Sequence, residues 1–359
     1  MNPRRLAWTV SGAATVVWFV CVLVTDNLSR VFDHWESSLT MLLGSFLSGA
    51  SPLGGGAVSF PVFTKVLDVP GPIARTFGLS IQAVGMTMAV IAILLNKRAV
   101  ESKALKVAVP AAVSGFLVGV WALGEPDHLF WPPSFGSGWV KATFSIVLAM
   151  TAVMMLRHFR AGAPSRPLVW NRDLVVALAV AAFAGGALAS VAGTGANILV
   201  FLVLVVAAGG DPRRALPTSV IVMAVVSIVG VFVLGIGDGQ LNIEVAGEIV
   251  TSIGGQAVEL EAARYDLLGL WLAAVPIVVW GAPLGSWAAA RVRPSTLVRF
   301  VGVLAAIEVA TTLVLVDELR SNGAMMTYMA VGLVALPMAL AALERHFSRG
   351  SQVGFRSPS

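Results

Sequence analysis

Two short runs of glycine and small hydroxyl residues hold the groups best suited to binding chemistry. The first is Ser48-Gly49-Ala50-Ser51-Pro52-Leu53-Gly54-Gly55-Gly56, and the second is Ser190-Val191-Ala192-Gly193-Thr194-Gly195-Ala196-Asn197. Glycine lets a backbone turn tightly and come close to a ligand. A helix restarting after such a turn aims free N–H groups and its positive dipole end at the turn, which suits an anion. Ser48, Ser51, Ser190, Thr194 and Asn197 would add donors. Glycine and serine also let membrane helices pack closely, and that reading stands beside the binding one.

A few ionisable residues join them. Arg75, with Thr76, opens the apolar run after the first glycine segment, and Lys65 ends that segment. A guanidinium makes paired hydrogen bonds to an oxyanion. The alternative is that Arg75 and Lys65 snorkel to the outer interface. Glu308 lies in the middle of an apolar run with no other charge within a turn, where an ionisable group is costly and functional by default. It either carries a coupling proton or stays neutral, hydrogen-bonded to a neighbouring helix. Gln82 is a second polar group at comparable depth. The four histidines, His34, His128, His158 and His346, all fall in loops or tails, and no paired-carboxylate constellation accompanies them. An enzyme is therefore not expected, nor a metal or other cofactor. The single cysteine, Cys21, cannot form an intrachain disulfide and reads as a packing residue.

The elements that must position these groups are membrane helices. The chain of 359 residues is 57% hydrophobic and 12% charged, with a mean hydropathy of +0.86, against roughly a quarter charged in soluble domains. Its apolar runs reach the roughly 20 residues a helix needs to cross the hydrocarbon core, and they lack strand alternation. Helices are thus the expected spanning structure. The basic pI near 9.9 reflects Lys and Arg in short loops and tails, so nucleic acid is not an expected partner. The apolar run Trp8 to Val24 reads as a retained first helix rather than a signal peptide.

Charge position sets the topology. Arg4, Arg5, Lys97, Arg98, Arg157, Arg160, Arg213, Arg214, Arg291 and Arg345 fall in one set of connections, while Asp26, Asp33, Glu36, Glu125, Glu244, Asp317 and Glu318 fall in the other. The positive-inside rule places the first set, with both termini, in the cytoplasm. Residues 38–67 must then enter and leave on the outer side, and 174–208 on the inner side. Each is a helical hairpin, either re-entrant or a pair of short tilted spans. Arg213 and Arg214 are explained by this topology alone.

Parity predicts two units of one hairpin plus three spans, inverted in the membrane, and the residues repeat accordingly. Val109-Pro110, Gly115, Gly119 and Trp121 match Val275-Pro276, Gly281, Gly285 and Trp287 at a constant spacing of 166 residues. Gly44, Ser48, Pro70 and Thr76 match Gly186, Ser190, Pro212 and Thr218 at a spacing of 142. The expected organisation is an all-α integral membrane fold. It comprises an N-terminal helix and outer loop (1–37), repeat 1 (38–156), a cytoplasmic linker (157–172), repeat 2 (173–316, with an acidic outer insertion at 236–265), and a C-terminal helix and tail (317–359). Such repeats place a solute near the midplane, between hairpins entering from opposite faces.

The chain also resembles the sulfite exporter TauE/SafE family. The resemblance rests on Gly54-Gly55-Gly56 followed by Pro61 and Ile73-Ala74-Arg75-Thr76, on Ala215-Leu216-Pro217-Thr218-Ser219, and on Gly281-Ala282-Pro283-Leu284-Gly285. It covers roughly residues 38–316. Gly193-Thr194-Gly195, with fewer consecutive glycines than is usual, and the acidic insertion are departures. The resemblance implies transport of sulfur-containing anions such as sulfite or organosulfonates across a bacterial-type plasma membrane, and adds Thr218 and Ser219 to the expected binding residues. A small anionic solute and the bilayer are the expected partners, and a homo-oligomer is left open. A channel or a non-transporting assembly or sensor subunit are the competing readings.

Overall fold

In the computed structural model, residues 3–67, 69, 71–123, 137–160, 165–237, 240–242, 250–253, 256–258, 266–292 and 294–353 are described. Pro70, Glu125, Asp127, Arg293 and most of the acidic insertion lie outside the described residues.

The chain begins with α1 (Pro3–Val24), α2 (Leu28–Asp33) and α3 (Trp35–Ala50), then α4 (Gly56–Lys65), α5 (Gly71–Leu95), α6 (Ser102–Leu123) and α7 (Ser137–Arg160). After these come α8 (Arg172–Ala192) and α9 (Ala196–Phe201), the latter continued by wider π turns over Leu202–Ala207. α10 (Pro212–Gly230) likewise continues in π geometry over Val231–Gly237, and a 3-10 turn follows at Gln240–Asn242. α11 (Leu267–Ala289), α12 (Pro294–Leu315), the short α13 (Asp317–Ser321) and α14 (Gly323–Val353) complete the chain. Among the described residues, nine helices are long and apolar enough to cross a membrane. The insertion adds one departure from helix, an antiparallel pair of short strands, β1 (Val250–Ile253) and β2 (Gln256–Val258).

α3 and α4 are too short to span. Their 16 and 10 residues extend about 24 and 15 Å, against a hydrocarbon core of about 30 Å. Neighbouring contacts show that the chain doubles back here. α3 runs parallel to α11, with Ser37 Oγ donating to Leu270 O and Gly49 lying against the Ala282 carbonyl. α5 is also parallel to α11, because Trp271 Nε1 donates to Ser80 O in the first half of both helices and Gly85 meets Val278 further along. Since α3 and α5 point the same way, α4 must return the chain. The second hairpin closes similarly: Arg166 N donates to Gly209 O at 2.8 Å, so chain entering before α8 is back at the same level after the π turns.

Small residues set the tightest packing, as expected where lipid provides no hydrophobic drive between helices. A Cβ on Gly285 would lie 1.9 Å from Phe46 O on α3, and one on Gly115 would lie 2.0 Å from Phe183 O on α8. α6 is parallel to α8 just as α11 is parallel to α3. α5 and α10 are antiparallel, with the start of each beside the end of the other through Arg75–Gln240 and Glu101–Thr218. α7 and α12 are antiparallel as well, joined by Ser145–Glu308 and Gly138–Glu318. α1 lies against α11 through Ser11 Oγ to Val279 O and Trp18 Nε1 to Leu272 O.

The outer surface is apolar. Val16, Val17, Val20 and Val24 on α1, and Val331, Val334 and Met338 on α14, are all exposed, as a lipid-facing surface requires. Cys21 is exposed on α1, so the expectation that it packs inside is corrected: the helix turns that side away from α11.

Candidate functional site

The two glycine turns meet. α3 stops at Ala50 because Ser51 adopts an extended conformation, with its hydroxyl donating to Leu47 O and accepting from Leu53 N. The chain reverses through Gly54, whose φ is +73°, and α4 begins at Gly56. In the other hairpin α8 ends on Gly193 in the left-handed conformation (φ +71°), its N–H returning to Ala189 O. α9 then starts immediately after Gly195. Thr194 Oγ1 donates to Leu53 O at 3.4 Å across the two turns, and Gly56 packs on the Thr194 side chain.

α5 supplies a wall beside the junction. Gln82 Nε2 donates to Gly78 O at 3.0 Å and to Gly193 O at 2.6 Å, which fixes the carboxamide and leaves its Oε1 without a hydrogen-bond partner. Asn197, at the start of α9, is fully buried, and neither its Nδ2 nor its Oδ1 is hydrogen-bonded. Both side chains face Gly54: a Cβ there would lie 2.9 Å from Asn197 Nδ2 and 2.9 Å from Gln82 Oε1. Buried polar atoms are nearly always paired, and each unpaired one costs about 1–3 kcal/mol. Three such atoms, Gln82 Oε1 and the two amide atoms of Asn197, gather around this one glycine turn.

About two turns before Gln82 on the same helix, Arg75 is buried at 4% exposure. Its guanidinium donates to Ser190 O and to Gln240 Oε1, and Thr76 Oγ1 donates to the same Gln240 oxygen at 2.5 Å. Snorkelling to the interface is therefore not what Arg75 does; the positive group is folded inward against the tip of the second hairpin.

A family model for the sulfite exporter TauE/SafE family matches residues 38–312, from the start of the first hairpin almost to the end of α12. The chain belongs to the TauE/SafE family. No curated relative and no solved structure matches it. The matched span holds both glycine turns, Arg75 and Glu308 of this TauE/SafE chain.

The remaining expected residues fall in different places. Ser48 faces Gly55, where a Cβ would lie 2.5 Å from its hydroxyl, and bonds to Gly44 O. Ser190 bonds to Ala187 O through its hydroxyl and reaches Arg75 through its carbonyl. Thr218 and Ser219 are not brought to the junction. Thr218 sits near the opposite end of the bundle, accepting from Glu101 N and donating to Arg214 O, and Ser219 bonds to Leu216 O.

Glu308 gains a partner that the sequence hid. Lys65 Nζ, at the end of α4, is 2.5 Å from Glu308 Oε1 and 2.7 Å from Thr312 Oγ1, and Ser145 Oγ on α7 also donates to Glu308. The two charged side chains are 2% and 4% exposed, so Lys65 does not snorkel either. This TauE/SafE chain thus carries a buried ion pair tying the returning arm of the first hairpin to α7 and α12. Gln240 and Ser145 carried no signal of this in sequence, because their contacts depend on segments far apart in the chain.

Proposed function

We propose that this TauE/SafE chain is a plasma-membrane secondary transporter of small anions of the sulfite or organosulfonate type. In this reading the anion sits between the glycine turns, with Gln82, Asn197, Thr194 and the first N–H groups of α4 as direct contacts and Arg75 supplying charge. The observation that carries it is the junction itself: two hairpins from opposite ends of the bundle enclosing unpaired buried polar atoms. A positive guanidinium and a helix N-terminus favour an anionic over a cationic solute.

Alternating access would come from two inverted repeats. Supporting this, α3 pairs with α11 of the other half just as α8 pairs with α6, and the corresponding helices α5 and α10, and α7 and α12, run antiparallel. Thr76 and Thr218 even repeat a role, each bonding to chain just beyond the far end of the opposite member. The termini are read as cytoplasmic from Arg98, Arg214 and Arg291 gathering at one end and Asp33, Glu36 and Glu318 at the other. Proton coupling would act through Glu308, with Lys65 as its counter-ion.

Proteoliposome flux of sulfite, thiosulfate, taurine and sulfoacetate under imposed pH gradients tests the reading. At least one anion should move, and Gly54→Val should stop it. No flux of any of the four removes these substrates. Flux that ignores the pH gradient and survives Glu308→Gln removes proton coupling.

A further inference from the structure

We propose that Gln240 is a built-in plug of the Arg75 anion subsite, carried there by the leading edge of the acidic insertion. The proposal rests on the anion reading above and adds a residue that controls access. The Gln240 carboxamide oxygen accepts from Arg75 Nη2 at 3.2 Å and from Thr76 Oγ1 at 2.5 Å. A neutral amide oxygen thus occupies the position between a guanidinium and a hydroxyl that an oxyanion oxygen would take. The geometry is that of a ligand mimic, since these donors suit a carboxylate, sulfite or sulfonate oxygen equally well.

Placement supports the same conclusion. Gln240 is buried at 6% exposure, although it belongs to a short 3-10 turn at the edge of a connection rather than to a spanning helix. The equivalent position in the other half shows what a purely structural contact looks like. There Thr218 accepts from a backbone N–H of Glu101, and Pro217 stands where Arg75 would be. The guanidinium at that end, Arg214, is exposed and meets the Glu101 carboxylate at 3.4 Å, so a buried amide oxygen set between guanidinium and hydroxyl distinguishes the Arg75 end. A displaced Gln240 would release Arg75 and Thr76 to the anion, and its return would expel the anion.

The test uses full-length protein with sulfite as the probe, measuring flux in proteoliposomes and binding by calorimetry in detergent. Removing the oxygen in Gln240→Ala should lower the half-saturating sulfite concentration by roughly tenfold, the equivalent of one charge-assisted hydrogen bond, with little change in maximal rate. Gln240→Asn, shorter by one methylene, should shift it in the same direction with the least disturbance to folding. Gln240→Glu places a carboxylate against Arg75 and should raise it. If sulfite is carried but Ala and Glu shift affinity the same way, or not at all, the plug is wrong and the anion reading survives. Binding that tightens in Gln240→Ala and vanishes in Arg75→Gln, with no flux in any variant, upholds the plug and removes transport. Neither binding nor flux in wild type and all variants overturns both.

Discussion

The two hairpins have the same plan, but their return arms are held by different forces. α4 ends in a charge pair: Lys65 lies against Glu308 and Thr312, and Ser145 donates to the same carboxylate. The corresponding arm of the second hairpin, Leu202–Ala207, is buried and entirely apolar. Apolar contact is non-directional and tolerates sliding, whereas an ion pair inside a low-dielectric bundle is satisfied at one position only. The first hairpin is thereby held in register, and the second is held mainly by shape. If one arm moves more freely during transport, the second is the better candidate.

Breaking the ion pair should have the largest effect. Lys65→Met strands a buried carboxylate and Glu308→Leu strands a buried ammonium, each costing about 3–5 kcal/mol. The double variant removes both charges and should regain most of the loss in thermal melting. Val205→Ala on the other arm should cost less, because lipid is as apolar as the helix and only packing is lost. Equal losses for Lys65→Met and the double variant would mean the charges do not hold α4.

The glycine turns should also separate. A Cβ on Gly193 would lie 2.6 Å from the Arg75 carbonyl, a backbone atom, and φ is +71° there. Gly193→Val should therefore lose folded protein, with about 1–3 kcal/mol from backbone strain alone. On Gly54, where φ is +73° as well, a Cβ would instead meet the Met86, Asn197 and Gln82 side chains, of which Met86 and the unpaired Asn197 give way more readily than a backbone carbonyl. Gly54→Val carries the same backbone strain but should fall less far below wild type than Gly193→Val, while losing flux. Equal melting losses for the two would erase the distinction.

Asn197 sharpens the junction by a different route. With neither amide atom paired, Asn197→Leu should leave the ligand-free protein as stable as wild type, or more stable by about 1 kcal/mol, yet weaken sulfite binding. A drop in ligand-free melting temperature would show that Asn197 serves the fold instead.

Much of this was legible in sequence because it rests on local or periodic constraints. Apolar run length yields the spans, charge parity yields the hairpins, and Gly115, Gly186, Gly281 and Gly285 mark the tight helix crossings that the structure uses. The family resemblance covered nearly the same residues as the family match. Partners far apart in the chain were not legible. Lys65 and Glu308 are 243 residues apart, and no local pattern distinguishes a paired lysine from a snorkelling one. Thr218 shows the opposite failure: a motif residue, correct in type, turns out to cap the connection at Glu101, far from the glycine turns. Which end of a helix a motif occupies depends on how the bundle closes, and periodicity carries no such information.

The smallest expected effect lies at the mouth of the first hairpin, where charge rather than packing again distinguishes it. Asp266 caps α11 by accepting from Gly269 N and lies 3.0 Å from Arg30 Nε and 3.6 Å from His34 Nε2, with Glu36 on the other side of the imidazole. Burial opposes charge on His34, but its hydrogen bonds to and attraction by Asp266 and Glu36 outweigh that and raise its pKa above the ordinary histidine value. Burial likewise opposes charge on Asp266, while His34, the Gly269 N–H and Arg30 outweigh it and hold its pKa below the ordinary carboxylate value. The signs then differ. The His34 contribution is fully present below the ordinary histidine pKa and is lost as pH rises through the raised one. The Asp266 contribution is present above the ordinary carboxylate pKa and is lost as pH falls through the depressed one. Melting temperature should therefore fall at both ends of a scan from acid to mildly alkaline pH. His34→Gln should flatten the alkaline side, and Asp266→Asn should flatten the acid side as well, since it removes the partner that raises His34. An alkaline loss unchanged in His34→Gln would place the titrating group elsewhere.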